Sequence, residues 1–181
     1  MGIAEDEREA YVAKATAELG SLAGRGVCMA GNAFSHVAFA KGQLTEKDLG
    51  SLLSGNDGQA LRKSLQALGY APEDWVAFAA VASDGSALDA ATLRETVCAL
   101  DPDTLVACDE AAADALREAY AEELAALPEF EDAMLTEGRV VQVLGMRVLN
   151  LGGFEEALSS PERKQLMWAR LKQIAPLGEP Y

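Results

Sequence analysis

Apolar and polar positions along this chain alternate in two rhythms, and the switches between them mark its elements. Across residues 5–22, Ala10, Val12, Ala13, Ala17 and Leu19 recur at helical spacing, which predicts an amphipathic helix ended by Gly20 or Gly24. Residues 25–31 form a short apolar run closing on Gly31, the pattern of a buried strand at 27–30. The polar, glycine-punctuated stretch from Asn32 to Gly55 reads as a loop. Asn56 or Asp57 is placed to cap a helix running to Leu68, where Gly69 supplies a left-handed stop. A second apolar strand follows at 75–81. Asp89 caps a helix to Leu100, and Asp101-Pro102-Asp103 turns the chain into a third strand at 104–108. Asp109 then starts a long Ala-rich helix that reaches Ala126. Residues 128–138 are acidic and weakly periodic and read as an irregular insertion. Two β-branched runs, 139–144 and 146–151, flank Gly145 as a hairpin-like pair, and Ser159 or Ser160 with Pro161 behind it opens the last helix.

Strands that alternate with helices imply right-handed crossovers and a mainly parallel sheet covered on both faces. The expectation is an α/β fold, a three-layer α/β/α sandwich around four strands at 27–30, 76–81, 105–108 and 146–151, with 105–108 beside 146–151. No repeat or linker divides the chain, so residues 1–181 are expected to form one domain with the helix over 1–24 packed on it. Ligands in such sheets sit beyond the carboxyl ends of the strands, which directs attention to residues 32–42, 82–86, 108–110 and 152–154.

Charge narrows the chemistry. Fifteen basic residues stand against 29 acidic ones, a net charge of −14, whereas duplex DNA binders carry a basic face that releases phosphate counterions. Arg62 with Lys63, and Arg163, Lys164, Arg170 and Lys172 on the last helix, are the only candidate basic patches, and each also reads as a solvated helix face. Weak or no binding to duplex DNA is expected. No apolar run approaches the ~20 residues that span a bilayer, and residues 1–10 lack the basic and apolar regions of a signal peptide. The expected location is cytoplasmic, away from any membrane. The three cysteines, Cys28, Cys98 and Cys108, lie in apolar segments without paired spacing and read as buried free thiols. Neither a metal nor a cofactor is expected. Gly24 and Gly26 precede a strand where a dinucleotide fingerprint would follow one, and no phosphate loop, nucleophile elbow or paired-histidine motif is present.

The closing run from Val148 to Lys172 joins a short apolar strand, the turn Gly152-Gly153, the helix start Ser159-Ser160-Pro161-Glu162 and an amphipathic helix. In this order it resembles the closing segment of the uracil-DNA glycosylase superfamily. The resemblance extends back through Leu93-Arg94-Glu95-Thr96-Val97, the strand 104–108 with Ala111-Ala112 after it, and Pro72-Glu73-Asp74-Trp75. It also takes in Gly55, Gly58 and Leu61 followed by Leu68-Gly69, which is similar to that family's Gly-x-x-Gly-x-Leu-Leu helix. The family's first strand ends in Gly-Glu-Ala-Pro-Gly, and the like position here is Gly31-Asn32-Ala33-Phe34-Ser35. Its second motif, a His-Pro pair, falls on Gly153 and Phe154. The Cys-x-x-Cys pair of the iron–sulfur branch is missing, and three cysteines cannot supply four cluster ligands.

Base excision needs a flipped base held in a snug pocket, a polar group to position water, and preorganised donors for the anionic leaving base. The resemblance makes Asn32 the water-positioning candidate and His36, the only histidine, the substitute donor. Asn32 equally suits a turn, and His36 an ordinary loop position. Gly31, Phe34, Ser35, Gly152, Gly153 and Phe154 would line the pocket, with Phe34 either stacking on a base or plugging the space. Glu155 and Glu156 would repel phosphate, or simply form the first turn of a short helix. Three readings compete: a glycosylase-like fold without excision chemistry that binds a small nucleobase-like ligand or a protein partner in the inherited cleft, a divergent active glycosylase for uracil or another deaminated base, and an α/β interaction protein with an acidic binding face.

Overall fold

The structure is a computed structural model that describes residues 3–177, so residues 1–2 and 178–181 of the expected 1–181 domain lie outside it. The elements in chain order are α1 (Ile3–Gly24), β1 (Val27–Gly31), β2 (Val37–Lys41), α2 (Glu46–Gly50), α3 (Asn56–Leu68), β3 (Val76–Ala82), α4 (Ala90–Leu100) and β4 (Thr104–Ala107). They continue with α5 (Glu110–Ala119), α6 (Ala121–Ala125), α7 (Phe130–Ala133), β5 (Val140–Val143), β6 (Met146–Asn150), α8 (Phe154–Ala157) and α9 (Pro161–Leu171). No helix among the described residues is long and apolar enough to cross a membrane.

The fold is α/β, but the sheet is mixed and has six strands in the order β1-β3-β2-β4-β6-β5. Strands β3, β2, β4 and β6 run parallel, and β4 lies beside β6 as the alternation with helices implied. The run at 27–30 does not join them in parallel. It forms β1, an antiparallel edge on β3 that pairs Met29 with Phe78. The parallel strand that the sequence concealed is β2, which lies inside the stretch read as a loop.

The reason β2 escapes a pattern search is physical. All five of its residues are buried, so no polar position alternates with the apolar ones, and its last residue is a lysine. Successive side chains of a strand point to opposite faces, and both faces here are dry. Ala38 and Ala40 join Phe78, Leu105 and Val148 under α4 and α5, where Leu93, Val97 and Leu116 complete one core. Val37 and Phe39 join Ala77, Val106 and Leu149 under α3, α8 and α9, where Leu61, Leu65, Phe154 and Met167 complete the other. Helices therefore cover both faces of the sheet.

Three local departures have clear causes. The helix expected from Asp109 to Ala126 is interrupted at the buried Tyr120, because Arg94 lies over the Tyr120 ring and takes the Ala119 carbonyl oxygen at 2.9 Å. The carbonyl of Ala119 is thereby diverted from the helix ladder. The insertion at 128–138 holds one short helix, α7, and is fastened to the end of β6 by Asn150. That buried amide donates to the Leu135 carbonyl, while the Asn150 backbone carbonyl accepts from the Gly138 N–H. Helix α1 is present, but the apolar stripe of its earlier turns stays uncovered: Ala10, Val12, Ala13 and Ala17 are exposed, Leu19 is half-buried, and Leu22 is the buried anchor.

Tight packing at one glycine gives a direct test. A methyl group on Gly58, in the first turns of α3, would sit 1.8 Å from the Leu53 carbonyl oxygen, whereas one on Gly20 in α1 would meet nothing within 4 Å. Gly58→Ala is expected to cost about 3 kcal/mol, at the upper end of overpacking penalties, and to lower the melting temperature by ~6–12 °C. Gly20→Ala is expected to leave it unchanged or raise it, since Ala gains up to ~1 kcal/mol over Gly inside a helix. Thermal unfolding followed by circular dichroism compares the two, and equal melting temperatures would contradict the packing.

Candidate functional site

The carboxyl ends of β2, β4 and β6 are stitched together by backbone hydrogen bonds. Cys108 N–H donates to the Ala40 carbonyl, Leu151 N–H to that of Ala107, and Phe154 N–H to that of Cys108. One side chain reinforces this seam. Asp109, the N-cap of α5, accepts from Ala112 N–H at 2.8 Å, from Gln43 N–H at 2.9 Å and from Gly42 N–H at 3.1 Å to both oxygens. The close approach needs Gly42, because a Cβ there would lie 2.6 Å from that of Ala111. Above the seam lies a cavity of about 310 Å³ bordered by Lys41, Thr45, Asp57, Asp109, Phe154 and Glu156.

Lys41 is the centre of this site. Its side chain is 2 % exposed, and its ammonium donates to Asp48 at 2.5 Å, Asp57 at 2.6 Å and Glu155 at 3.1 Å. A buried ammonium persists only when it is paired and hydrogen-bonded, and each of its three hydrogens has a carboxylate. Asp48 is itself held: its Oδ1 accepts from Leu53 N–H, and its Oδ2 accepts from the Thr45 N–H and hydroxyl in the capping box of α2. Asp57 does not cap α3, as its position suggested. The N-cap is Gly55, without a side-chain bond, and Asp57 turns inward to Lys41. The oxygens of Asp48, Asp57 and Glu155 lie within 4.8 Å of one another, close enough to share a metal ion, yet the cation they share is the chain's own.

The electrostatics follow from this pairing. Burial alone would pull Lys41 down, but the three carboxylates overcome it and hold the ammonium well above the ordinary lysine value. Burial likewise pushes Asp48 up, and is outweighed by Lys41 and the donors from Thr45 and Leu53, which hold it below the ordinary carboxylate value. Lys41 therefore stays protonated at neutral pH and has no lone pair for nucleophilic chemistry. Burial raises the Cys108 thiol well above its ordinary value, so that sulfur is not a thiolate.

The residues expected to form one site are divided between two ends of the sheet. Gly152, Gly153 and Phe154 stand at the carboxyl end, with Gly153 and Phe154 bordering the cavity. Gly31, Asn32, Phe34, Ser35 and His36 precede β2, at the amino ends of the parallel strands, with Gly31 opposite Val76. The five residues of β2, at ~3.3 Å each, separate the two groups. Asn32 makes a turn there: its side-chain oxygen accepts from Phe34 N–H, and its carbonyl accepts from the Ser35 N–H and hydroxyl. Phe34 is half exposed. His36 is clamped to Asp74, with its N–H at 2.6 Å and Nδ1 at 2.8 Å, and that hydrogen bond holds the imidazole above the ordinary histidine value. Glu155 and Glu156 do form the first turn of the short α8, and Glu155 also reaches Lys41. Of the cysteines, only Cys108 is buried, while Cys28 is half-buried and Cys98 exposed.

A larger depression, of about 550 Å³, lies by the β5–β6 turn at the amino ends of the strands and is bordered by Arg94, Glu95, Cys98, Tyr120 and Leu144. Two of its charged groups are spent on other partners: Arg94 pairs with Glu123, and Glu95 with Arg25. The smaller cavity is the stronger candidate, since the buried Lys41, Asp57 and Asp109 converge on it at the carboxyl ends of the strands.

The ion cluster sets the pH range of stability. Asp48 is depressed in the folded state, so its contribution is full above the unfolded carboxylate range and is lost as pH falls through the folded value. Lys41 is raised, so its contribution is full below the unfolded lysine value and is lost as pH rises through the folded one. From this cluster a plateau between the two, from about pH 5 to pH 10, is expected in urea unfolding, with only a small decline near neutral pH as the raised, largely exposed His36 loses its proton. Lys41→Met leaves carboxylates buried without their cation and is expected to cost ~3–5 kcal/mol at pH 7. The loss should shrink as pH drops below 4, where the carboxylates protonate. A loss independent of pH would show that packing, not charge, is what Lys41 supplies.

No protein-family model matches this chain, and no curated protein matches it in sequence.

Proposed function

We propose that this protein is a uracil-DNA glycosylase-like scaffold without base-excision activity, which binds a small ligand in the cavity at the carboxyl ends of β2, β4 and β6. One observation carries the reading. The polar groups that face this cavity are gathered around a cation, Lys41, that is fully committed to Asp48, Asp57 and Glu155. The site is built to a fixed geometry, and its side chains do not supply excision chemistry.

The resemblance in sequence supports the scaffold, with one revision of register. If the family's first motif follows the first parallel strand, it falls on Lys41-Gly42-Gln43-Leu44-Thr45, after β2, in place of Gly31 to Ser35. Counted so, the first motif and the Gly153-Phe154 position border one cavity. The chemistry is then absent at both. Gln43, which follows Gly42 in that register, is an amide and cannot act as a base, and the nearby Asp109 has both oxygens taken by backbone N–H groups. Gly153 brings no side chain to stabilise a leaving base. An anionic leaving group would also emerge beside Asp57, Glu155 and Glu156.

The surface agrees with weak nucleic-acid binding. Two of the candidate basic residues are spent internally: Arg62 lies over the Trp75 ring and donates to the Leu53 carbonyl, and Arg170 donates to that of Leu151. With a net charge of −14, sub-micromolar affinity for uracil-containing duplex at physiological salt is not expected.

Excess protein incubated with a labelled uracil oligonucleotide, then treated with alkali, is expected to give no strand breaks above a no-protein control. Losing one preorganised donor typically costs ~100–1000-fold in rate, and here the second motif position offers no side-chain donor and the first, with the Gln43 amide and the Thr45 hydroxyl, offers no carboxylate base. Stoichiometric breaks that vanish in Asp109→Asn or Asn32→Ala would overturn the proposal in favour of a divergent active glycosylase.

A further inference from the structure

We infer that the larger depression, at the amino ends of the strands, is a second ligand site, separate from the Lys41 cavity, and that it takes a small apolar ring compound with a positively charged arm. Three observations lead to it, and the first is Tyr120. This residue is 5 % exposed and borders the depression, with the Arg94 guanidinium over its ring. Its hydroxyl makes no hydrogen bond to any described residue. Among the described residues the one wholly enclosed side-chain polar atom without a partner is Glu123 Oε2, so the Tyr120 hydroxyl is not sealed in, and the space it opens on is the depression. Burial pushes this phenol up to about 12, so at neutral pH it keeps its proton and can both donate and accept. A buried, unpartnered hydroxyl facing a cavity is the kind of placed polar group that orients a ligand among apolar walls.

The second observation is those walls. Val97, Pro102, Leu144 and Met146 border a volume of about 550 Å³, well within the range of ligand pockets. Leu144 is in a place that folding alone does not favour. With Gly145 it makes the two-residue turn between β5 and β6, at φ of 49° and 79°, where Asn-Gly is the preferred pair. A leucine at positive φ is strained, and this one is 70 % exposed on the border of the depression. The apolar side chain does nothing for the turn, and it extends the apolar wall.

The third observation is the balance of charge. Arg94, Glu95, Asp101 and Asp103 border the depression. Arg94 is matched by Glu123 and Glu95 by Arg25. The carboxylates of Asp101 and Asp103 are exposed and accept from no described residue. Two negative charges are thus left uncompensated at the rim, which favours a cationic arm and opposes a carboxylate.

The test is alkylation of Cys98 by iodoacetamide in the full chain, followed peptide by peptide by mass spectrometry, with tryptamine and indole-3-acetate as matched probes. Cys98 borders the depression and is the one exposed cysteine among the described residues, so its protection reports occupancy there. Tryptamine is expected to slow the alkylation saturably and to bind about tenfold more tightly than indole-3-acetate. Tyr120→Phe removes only the hydroxyl and is expected to weaken tryptamine about three- to tenfold, the loss of one hydrogen bond. Leu144→Asn suits the turn better, so the melting temperature should hold or rise while tryptamine still binds less tightly. The pair Asp101→Asn, Asp103→Asn keeps a residue that accepts the left-handed φ of 46° at position 101, and should lower tryptamine to the level of indole-3-acetate. Absence of saturable protection, protection by indole-3-acetate at least as tight as by tryptamine, or full tryptamine affinity in any of these variants would each overturn the inference.

Discussion

A lysine ammonium buried at the end of the central strand organises this molecule. Lys41 cannot lie where it does without three carboxylates, and those carboxylates come from the start of α2, the start of α3 and the start of α8. One charge thus fixes the entry of three helices against one strand. Such a cluster is a weak source of net stability, because desolvation consumes much of the attraction. Its effect is on specificity of arrangement: any displacement of α2, α3 or α8 leaves a charge unpaired in a dry place.

The legible part of the fold was the part with contrast. Helices α3, α4 and α9 declare themselves through caps and stops such as Gly69, Asp89 and Ser160 with Pro161, and the structure places those residues at those ends. Strands β3 and β4 stand out as apolar runs between polar turns. Strand β2 has no such contrast, since Val37 to Ala40 are wholly buried and Lys41 looks like the start of a loop. Missing it moved the expected site by one strand. Asn32 and His36 were sought at a carboxyl end and lie at an amino end, because the first apolar run belongs to an antiparallel edge.

The centre of the site was hidden for a related reason. A lysine directly after Val-Ala-Phe-Ala was the available signal, since a charge on a buried strand requires a partner. The partners themselves carry no local mark. Asp48 and Asp57 lie 7 and 16 positions from Lys41, Glu155 lies 114 positions away, and the chain has 29 acidic residues to choose from. Asp57 looked like a cap because it begins a helix. Only the inward turn of its side chain separates a cap from a counter-ion, and that turn is decided by Lys41.

The strand order also governs how the molecule assembles. Every strand pairing but β5 with β6 joins distant parts of the chain: Val37 meets Thr104, and Val27 meets Ala82. Loop-closure entropy must be met before such contacts return anything, so a topology of this kind folds slowly relative to one built on local hairpins. The central strand waits for both of its neighbours. On a chain emerging from its N-terminus, Lys41, Asp48 and Asp57 are present early, while Glu155 arrives only with the last elements. The final counter-ion is therefore the last to be synthesised, and closure of the sheet and completion of the cavity become one event.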